Sequence, residues 1–201
     1  MSDTAQPATA QRRRDLVQAA FDVIAERGFE GLRTREVAAR VGVNVATLHY
    51  YLPTKGDLVA AVASHLADQY RDTHAPPVPE TSPALRRLRQ ELADARYYRA
   101  ERPDLMRVFR ELALRAERDP AVRDVLDPLY AAWTGELEDM LKAGIEEGSF
   151  RTDLDPEAGA AALVAFLWGG GALPRLGGPV FAAACDQVER WLRPPSQPQT
   201  E

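Results

Sequence analysis

Residues 34–55 read Thr34-Arg35-Glu36-Val37-Ala38-Ala39-Arg40-Val41-Gly42-Val43-Asn44-Val45-Ala46-Thr47-Leu48-His49-Tyr50-Tyr51-Leu52-Pro53-Thr54-Lys55, and their punctuation decides the fold. Val37, Ala38 and Val41 recur at helical spacing, Thr34 stands where it caps that helix, and Gly42 suits its end. Asn44 is a cap for a second helix over 45–52, which Pro53 closes. Two short helices joined by Arg40-Val41-Gly42-Val43-Asn44 have the spacing of a helix-turn-helix. Val37, Ala38 and Val41 against Leu48 would hold the pair crossed, and the second helix is narrow enough to enter a DNA major groove end-first.

The outward face of that second helix is Val45, Ala46, Thr47, His49, Tyr50 and Tyr51. Thr47, His49 and Tyr50 carry groups that hydrogen-bond base edges or phosphates, and Val45 or Ala46 suits a thymine methyl. Lys55 opens the next helix, where free backbone N–H groups and the helix dipole favour a phosphate, and Thr34 holds the same kind of position one helix earlier. A structural helical hairpin gives the same two-helix pattern, but cap, turn, aromatic pair and lysine agree at once on DNA. Arg12-Arg13-Arg14 either follow the phosphate backbone or form a solvated helix start.

Outward from this stretch the chain stays helical. Leu16, Ala19, Ala20, Val23 and Ile24 mark an amphipathic helix over 11–27, ended by Gly28, and Thr54 with Asp57 forms a capping box for a helix over 55–71. The Pro-rich stretch 74–83 reads as a linker or long loop. Helices follow over 84–100, 104–117 and 122–147, the last with a break or kink expected at Asp127-Pro128. A helix from Pro156 to Trp168 is apolar almost all round and should end at Gly169-Gly170-Gly171, directly or after a short extension, and a final helix spans 179–192.

The composition agrees. The chain has 201 residues, 45% of them hydrophobic but only 7% aromatic, and no run of alternating β-branched residues, so disordered, fibrous and all-β classes are excluded. No apolar stretch is long enough to span a bilayer and residues 1–11 lack a signal-peptide core, so a soluble cytoplasmic protein is expected. The single Cys185 makes no intrachain disulfide. The net charge of −5 hides an asymmetry: residues 10–55 carry eight Arg or Lys against five Asp or Glu, whereas the chain after Asp57 carries 17 against 23. A slightly basic head on an acidic body suits a chain with one end on phosphate.

Ala20, Gly28-Phe29, Thr34, Val37-Ala38, Gly42-Val43, Thr47-Leu48, Tyr50, Pro53-Thr54-Lys55 and Leu58-Val59 stand in the order and spacing of a known domain. At these residues the chain resembles the DNA-binding domain of the TetR/AcrR family of bacterial transcriptional regulators. The resemblance implies an all-α fold: a three-helix helix-turn-helix domain, here over 10–55, followed by a larger helical effector-binding and dimerisation domain over 56–193, with 194–201 left as a disordered tail. It also implies a homodimer on a palindromic double-stranded operator, built mainly from the last two long helices, and release from DNA when a small-molecule effector binds. His49 departs from the usual tyrosine, Asn44 from serine, Ala46 from glycine and Gly56 from glutamate. The reading helix has no Arg or Lys, so its sequence discrimination should be modest, and His49 brings a pH-sensitive ring to it.

The candidate DNA contacts are therefore Thr34, Asn44, Val45, Ala46, Thr47, His49, Tyr50, Tyr51 and Lys55. Phe109, Tyr130, Trp133, Met140, Phe166 and Trp168 either fill the core of the body or line an effector cavity, and Arg107, Arg110 and Arg175 would give an apolar cavity ends suited to an aromatic or weakly acidic ligand. Phe181, Val188, Trp191 and Leu192 form an apolar stripe that, with 158–168, would make the two-fold contact. His65, Asp68 and Asp72 share a helix face, but a solvated polar face gives the same spacing, so no metal or cofactor is expected. A helical enzyme acting on an apolar small molecule is the rival reading. No catalytic motif supports it: His-Glu-x-x-His, Gly-x-Ser-x-Gly and phosphate-loop patterns are all missing from the sequence.

Overall fold

Leu16, Ala20, Val23 and Ile24 fall on one helical stripe, and in the computed structural model they are buried along α1 (Ala5–Arg27). The structure describes residues 5–172 and 177–195, and all its regular elements there are helical, as an all-α chain requires. After α1 comes a single 3-10 turn, Phe29–Gly31, then α2 (Thr34–Val41), α3 (Val45–Tyr51) and α4 (Lys55–Asp72). The rest are α5 (Pro83–Glu101), α6 (Pro103–Ala116), α7 (Pro120–Glu146), α8 (Pro156–Ala172) and α9 (Gly178–Leu192).

These elements form two compact units. The first takes the chain to Thr73 and then residues 103–129, and the second takes residues 74–102 and everything from Tyr130. The division therefore does not follow the expected 10–55 and 56–193 segments. The reason is packing: α4 buries Leu58, Val59, Val62 and Leu66, and it contacts α1 and α6, while α6 also lies on α1 and buries Leu105, Val108 and Leu112.

In the second unit, α5 packs on α8 and α9, and Leu85, Leu88 and Leu92 meet Leu137, Leu141, Phe150, Leu163 and Phe181 in one core. Gly144 in α7 lies directly under the fully buried Phe150 ring, so that a Cβ at 144 would collide with it. The Pro-rich stretch is strapped down rather than left as a free linker. The buried Asp94 carboxylate accepts the Ala75 N–H at 2.7 Å and the Gln90 amide at 2.9 Å, and it bonds the His74 ring at 3.1 Å. Arg89 bridges the loop's Glu80 and, at 2.7 and 3.0 Å, both oxygens of Glu189 in α9.

Three expectations are corrected and one is met. Arg33, not Thr34, is the N-cap of α2, and Thr34 is its first helical residue. Helix α7 runs unbroken through Pro128, where that residue and Asp124, whose carbonyl the proline leaves without its helical donor, are both exposed. Helix α8 ends at Ala172, the short extension past the three glycines that the sequence allows, since glycine lowers helix propensity without forbidding the helix. Finally, Phe181, Val188 and Leu192 point into their own unit's core with Cys185, and the large apolar side chains left exposed on α9 are Val180 and Trp191, at 60% and 64%. The expected Arg175 and most of the expected tail, 196–201, lie outside the described residues.

Candidate nucleic-acid interface

The geometry of the reading helix is set at both its ends. Gly42 adopts φ 71° and ψ 31°, and its N–H and that of Val43 bond back to Ala39 and Ala38 at 3.1 and 3.0 Å, so α2 closes in a left-handed turn that an L side chain resists. Two residues on, the Asn44 Oδ1 accepts the Thr47 backbone N–H at 2.7 Å and the Thr47 hydroxyl at 3.0 Å. Leu48 is fully buried against the first unit's core, which fixes how α3 is rotated.

That rotation turns Ala46, His49 and Tyr50 to solvent, while Val45, Thr47 and Tyr51 are half-exposed. Tyr50 is 77% exposed, although a large aromatic ring on a monomer surface normally seeks cover, and it packs edge-on against Tyr51 at 5.0 Å between ring centres. The His49 Nδ1 lies 2.9 Å from the Pro53 carbonyl, which can only accept, so Nδ1 is the donor. Thr54 and Asp57 bond each other's backbone N–H at 3.0 and 2.9 Å, the capping box that opens α4 at Lys55. The exposed Lys55 ammonium lies 5.3 Å from the centre of the Phe29 ring. Thr34, Asn44 and Lys55 thus stand at or beside three helix starts, where unpaired N–H groups favour anions.

The aromatic candidates divide between the units. Phe109 is in the first, edge-on to Tyr70 at 5.8 Å, whereas Tyr130, Trp133, Met140, Phe166 and Trp168 are in the second. There the Trp168 indole donates to the Tyr130 hydroxyl at 3.0 Å, Phe166 stacks on Phe181 at 5.7 Å, and Met140 is buried within the core. Trp133 donates its indole N–H to Glu91 at 3.1 Å. Burial pushes the Glu91 carboxyl above its ordinary pKa against the pull of that bond, and burial likewise raises the Tyr98 phenol nearby. Sequence reasoning missed Glu91, although a signal existed: it stands three residues after Leu88 and four before Ala95, on the apolar stripe of α5. Arg107 and Arg110, expected as polar ends of a cavity, belong to the first unit, where Arg107 donates to the Ala25 carbonyl at 3.3 Å.

His65 packs edge-on against Phe21 at 5.5 Å and Asp68 pairs with Arg71, and no group of metal-ligand side chains is assembled among the described residues. No helix among them is long and apolar enough to cross a membrane.

The family model of bacterial regulatory proteins of the TetR type matches residues 16–62, and that of the C-terminal region of BetI-type transcriptional repressors matches residues 83–172. The HTH-type transcriptional repressor KstR2 of Mycobacterium tuberculosis is 30% identical over 152 residues, covering 72% of each chain. The HTH-type nicotine-responsive transcriptional repressor HdnoR of Paenarthrobacter nicotinovorans is 26% identical over 137 residues, 67% of this chain and 70% of that one. A TetR-family transcriptional regulator from Rhodococcus sp. has a crystal structure that superposes with a TM-score of 0.79 at 25% identity, over 90% of this chain and 98% of the other.

Proposed function

The chain belongs to the TetR family of bacterial regulatory proteins and is a DNA-binding transcriptional regulator, and from that premise we propose that it represses transcription as a homodimer on a palindromic operator until a small molecule releases it. The observation that carries this reading is α3 itself, capped by Asn44, anchored by Leu48, and turning Ala46, His49 and Tyr50 to solvent. In this reading His49, Tyr50 and Thr47 meet base edges, Val45 and Ala46 meet thymine methyls, and Thr34, Asn44, Tyr51 and Lys55 hold phosphates. Two recognition helices must lie roughly 34–36 Å apart to read successive major grooves, so a dimer is needed.

The effector in this proposal is an apolar molecule with an amine or other cationic group. Glu91, half-buried and bonded to the Trp133 indole, is the acidic group beside these rings, and a cation satisfies a carboxylate better than an acid does. The responsiveness of the relative HdnoR to nicotine, an amine, is in keeping with that class. Tyr130, Trp133 and Trp168 are its proposed aromatic walls.

The test is fluorescence anisotropy with DNA taken from beside the protein's own gene, followed by titration of the preformed complex with matched panels of amines and carboxylic acids. Salt-dependent, saturable binding reversed by amines is expected. Failure to bind any such DNA more tightly than a scrambled duplex overturns the operator reading, and reversal by acids alone overturns the effector class.

A further inference from the structure

Helix α6 lies outside the matched DNA-binding segment, yet one line of its side chains grips the turn beside Lys55. Arg107, Glu111 and Arg115 are spaced by four, so they share a face. Arg107 reaches the Ala25 carbonyl near the end of α1, and Glu111 accepts the Phe29 backbone N–H at 2.8 Å. The Arg115 guanidinium lies 5.0 Å from the centre of the Phe29 ring, the ring that also holds the Lys55 ammonium at 5.3 Å. Gly28 makes this approach possible: its φ is 69°, and a Cβ there would stand 3.2 Å from the Glu111 carboxylate.

Within the turn itself, Gly31 and Leu32 donate to Gly28 and Phe29, and Gly28 donates to Ile24. The Phe29 N–H has no such backbone acceptor and is satisfied across the sequence by Glu111. Removing that carboxylate therefore leaves the Phe29 N–H unpaired and loosens the turn that carries the ring. A lysine ammonium on four rotatable bonds loses entropy when it is fixed on a phosphate, and an aromatic face that already restrains it lowers that cost.

We propose that Glu111 of α6 is a positioning residue for operator binding: through Phe29 it sets the Lys55 ammonium for its phosphate without touching DNA. The proposal rests on the reading of Lys55 as a phosphate contact. It predicts that α6 alters operator affinity through one identifiable charge rather than through general stability.

The experiment is a double-mutant cycle on the full-length protein, with a duplex that the wild type selects from a random pool. Phe29→Leu and Glu111→Ala should each weaken binding by about two- to fivefold, the fold-change of an exposed cation–π contact. Both should lower the slope of log affinity against log salt by up to about one, as Lys55→Ala does. In a Lys55→Ala background neither should have any further effect, and Glu111→Gln, whose amide oxygen still accepts the Phe29 N–H, should behave as wild type. Equal losses with and without Lys55, or an unchanged salt slope, would mean that α6 supports the fold only and overturn the proposal. A wild type that selects no duplex, or a Lys55→Ala variant that binds and responds to salt as wild type does, removes the functional reading and the proposal together.

Discussion

Asn44 and Thr47 are joined twice, one carboxamide oxygen receiving both the backbone N–H and the hydroxyl of the residue three further on. The oxygen that caps α3 therefore also holds the hydroxyl of the side chain proposed to meet a base edge. Asn44→Ala should cost about 0.5–2 kcal/mol of stability, as loss of an N-cap does, and Asn44→Ser should restore most of it. Urea unfolding measures the stability, and anisotropy measures the effect on DNA. Operator affinity should fall further than the unfolding midpoint implies, because Thr47 loses its orientation too, and an affinity loss no larger than the stability loss explains would reduce Asn44 to a helix cap.

Contacts to phosphates and to bases should separate on a panel of operator variants. Lys55→Ala is expected to weaken every duplex by a similar factor and reduce the salt slope by about one. Tyr50→Ala should instead flatten the preference at one base-pair position by about 1–3 kcal/mol. A Tyr50→Ala protein that keeps the wild-type preference would take that ring out of the groove.

The reading head was legible in the sequence because each of its devices is local: the Gly42 turn, Asn44 and the Thr54–Asp57 box all act within five residues. What escaped the sequence is long-range. Glu111 reaches Phe29 across 82 positions and Arg89 reaches Glu189 across 100, and no periodicity announces such pairs. The apolar stripe of α9 was visible but not its direction, since Phe181, Val188 and Leu192 on one side and Val180 and Trp191 on another are equally apolar in sequence. Only packing against α5 decides which set is buried.

Gly144 offers the sharpest stability test in the second unit. A methyl group at this position would overlap the Phe150 ring, which is fully buried and lies where the chain turns from α7 towards α8. Gly144→Ala should therefore destabilise by about 1–3 kcal/mol or more, although alanine is the better helix former. Pairing it with Phe150→Leu should recover part of the loss. A Gly144→Ala protein as stable as wild type in urea would contradict this packing.

The raised pKa of Glu91 gives a pH dependence of known sign. Burial makes the folded state hold the proton more tightly than the unfolded chain, whose carboxyl keeps its ordinary value near 4.5. Below that value both states are protonated and ionisation costs nothing. As pH rises from there through the raised value the cost develops, and above it the cost is constant. Glu91→Gln still accepts the Trp133 N–H but never ionises, so its melting temperature should exceed that of wild type by a margin that grows with pH and then levels off. A margin that shrinks with pH would show that the carboxylate is held as a satisfied anion.

The two-fold contact should involve the apolar side chains that the second unit leaves in solvent. On α9 these are Val180 and Trp191, eleven residues apart and therefore on one face, and on α8 they are Ala158, Ala161, Ala162 and Ala165. Small residues on one helix let a second helix approach closely, and an exposed tryptophan is the residue type that most often anchors an interface. Trp191→Glu should consequently yield a folded monomer at micromolar concentration by sedimentation, with its helical circular dichroism and melting temperature little changed. Its operator affinity should fall by orders of magnitude, because one head alone reads only half of the palindrome. Val188→Glu serves as the contrast: that side chain is buried in its own core, so the substitution should unfold the second unit rather than divide a dimer. A Trp191→Glu protein that sediments as a dimer would move the interface off this face, and a wild type that is itself monomeric at that concentration would dispose of the two-fold reading.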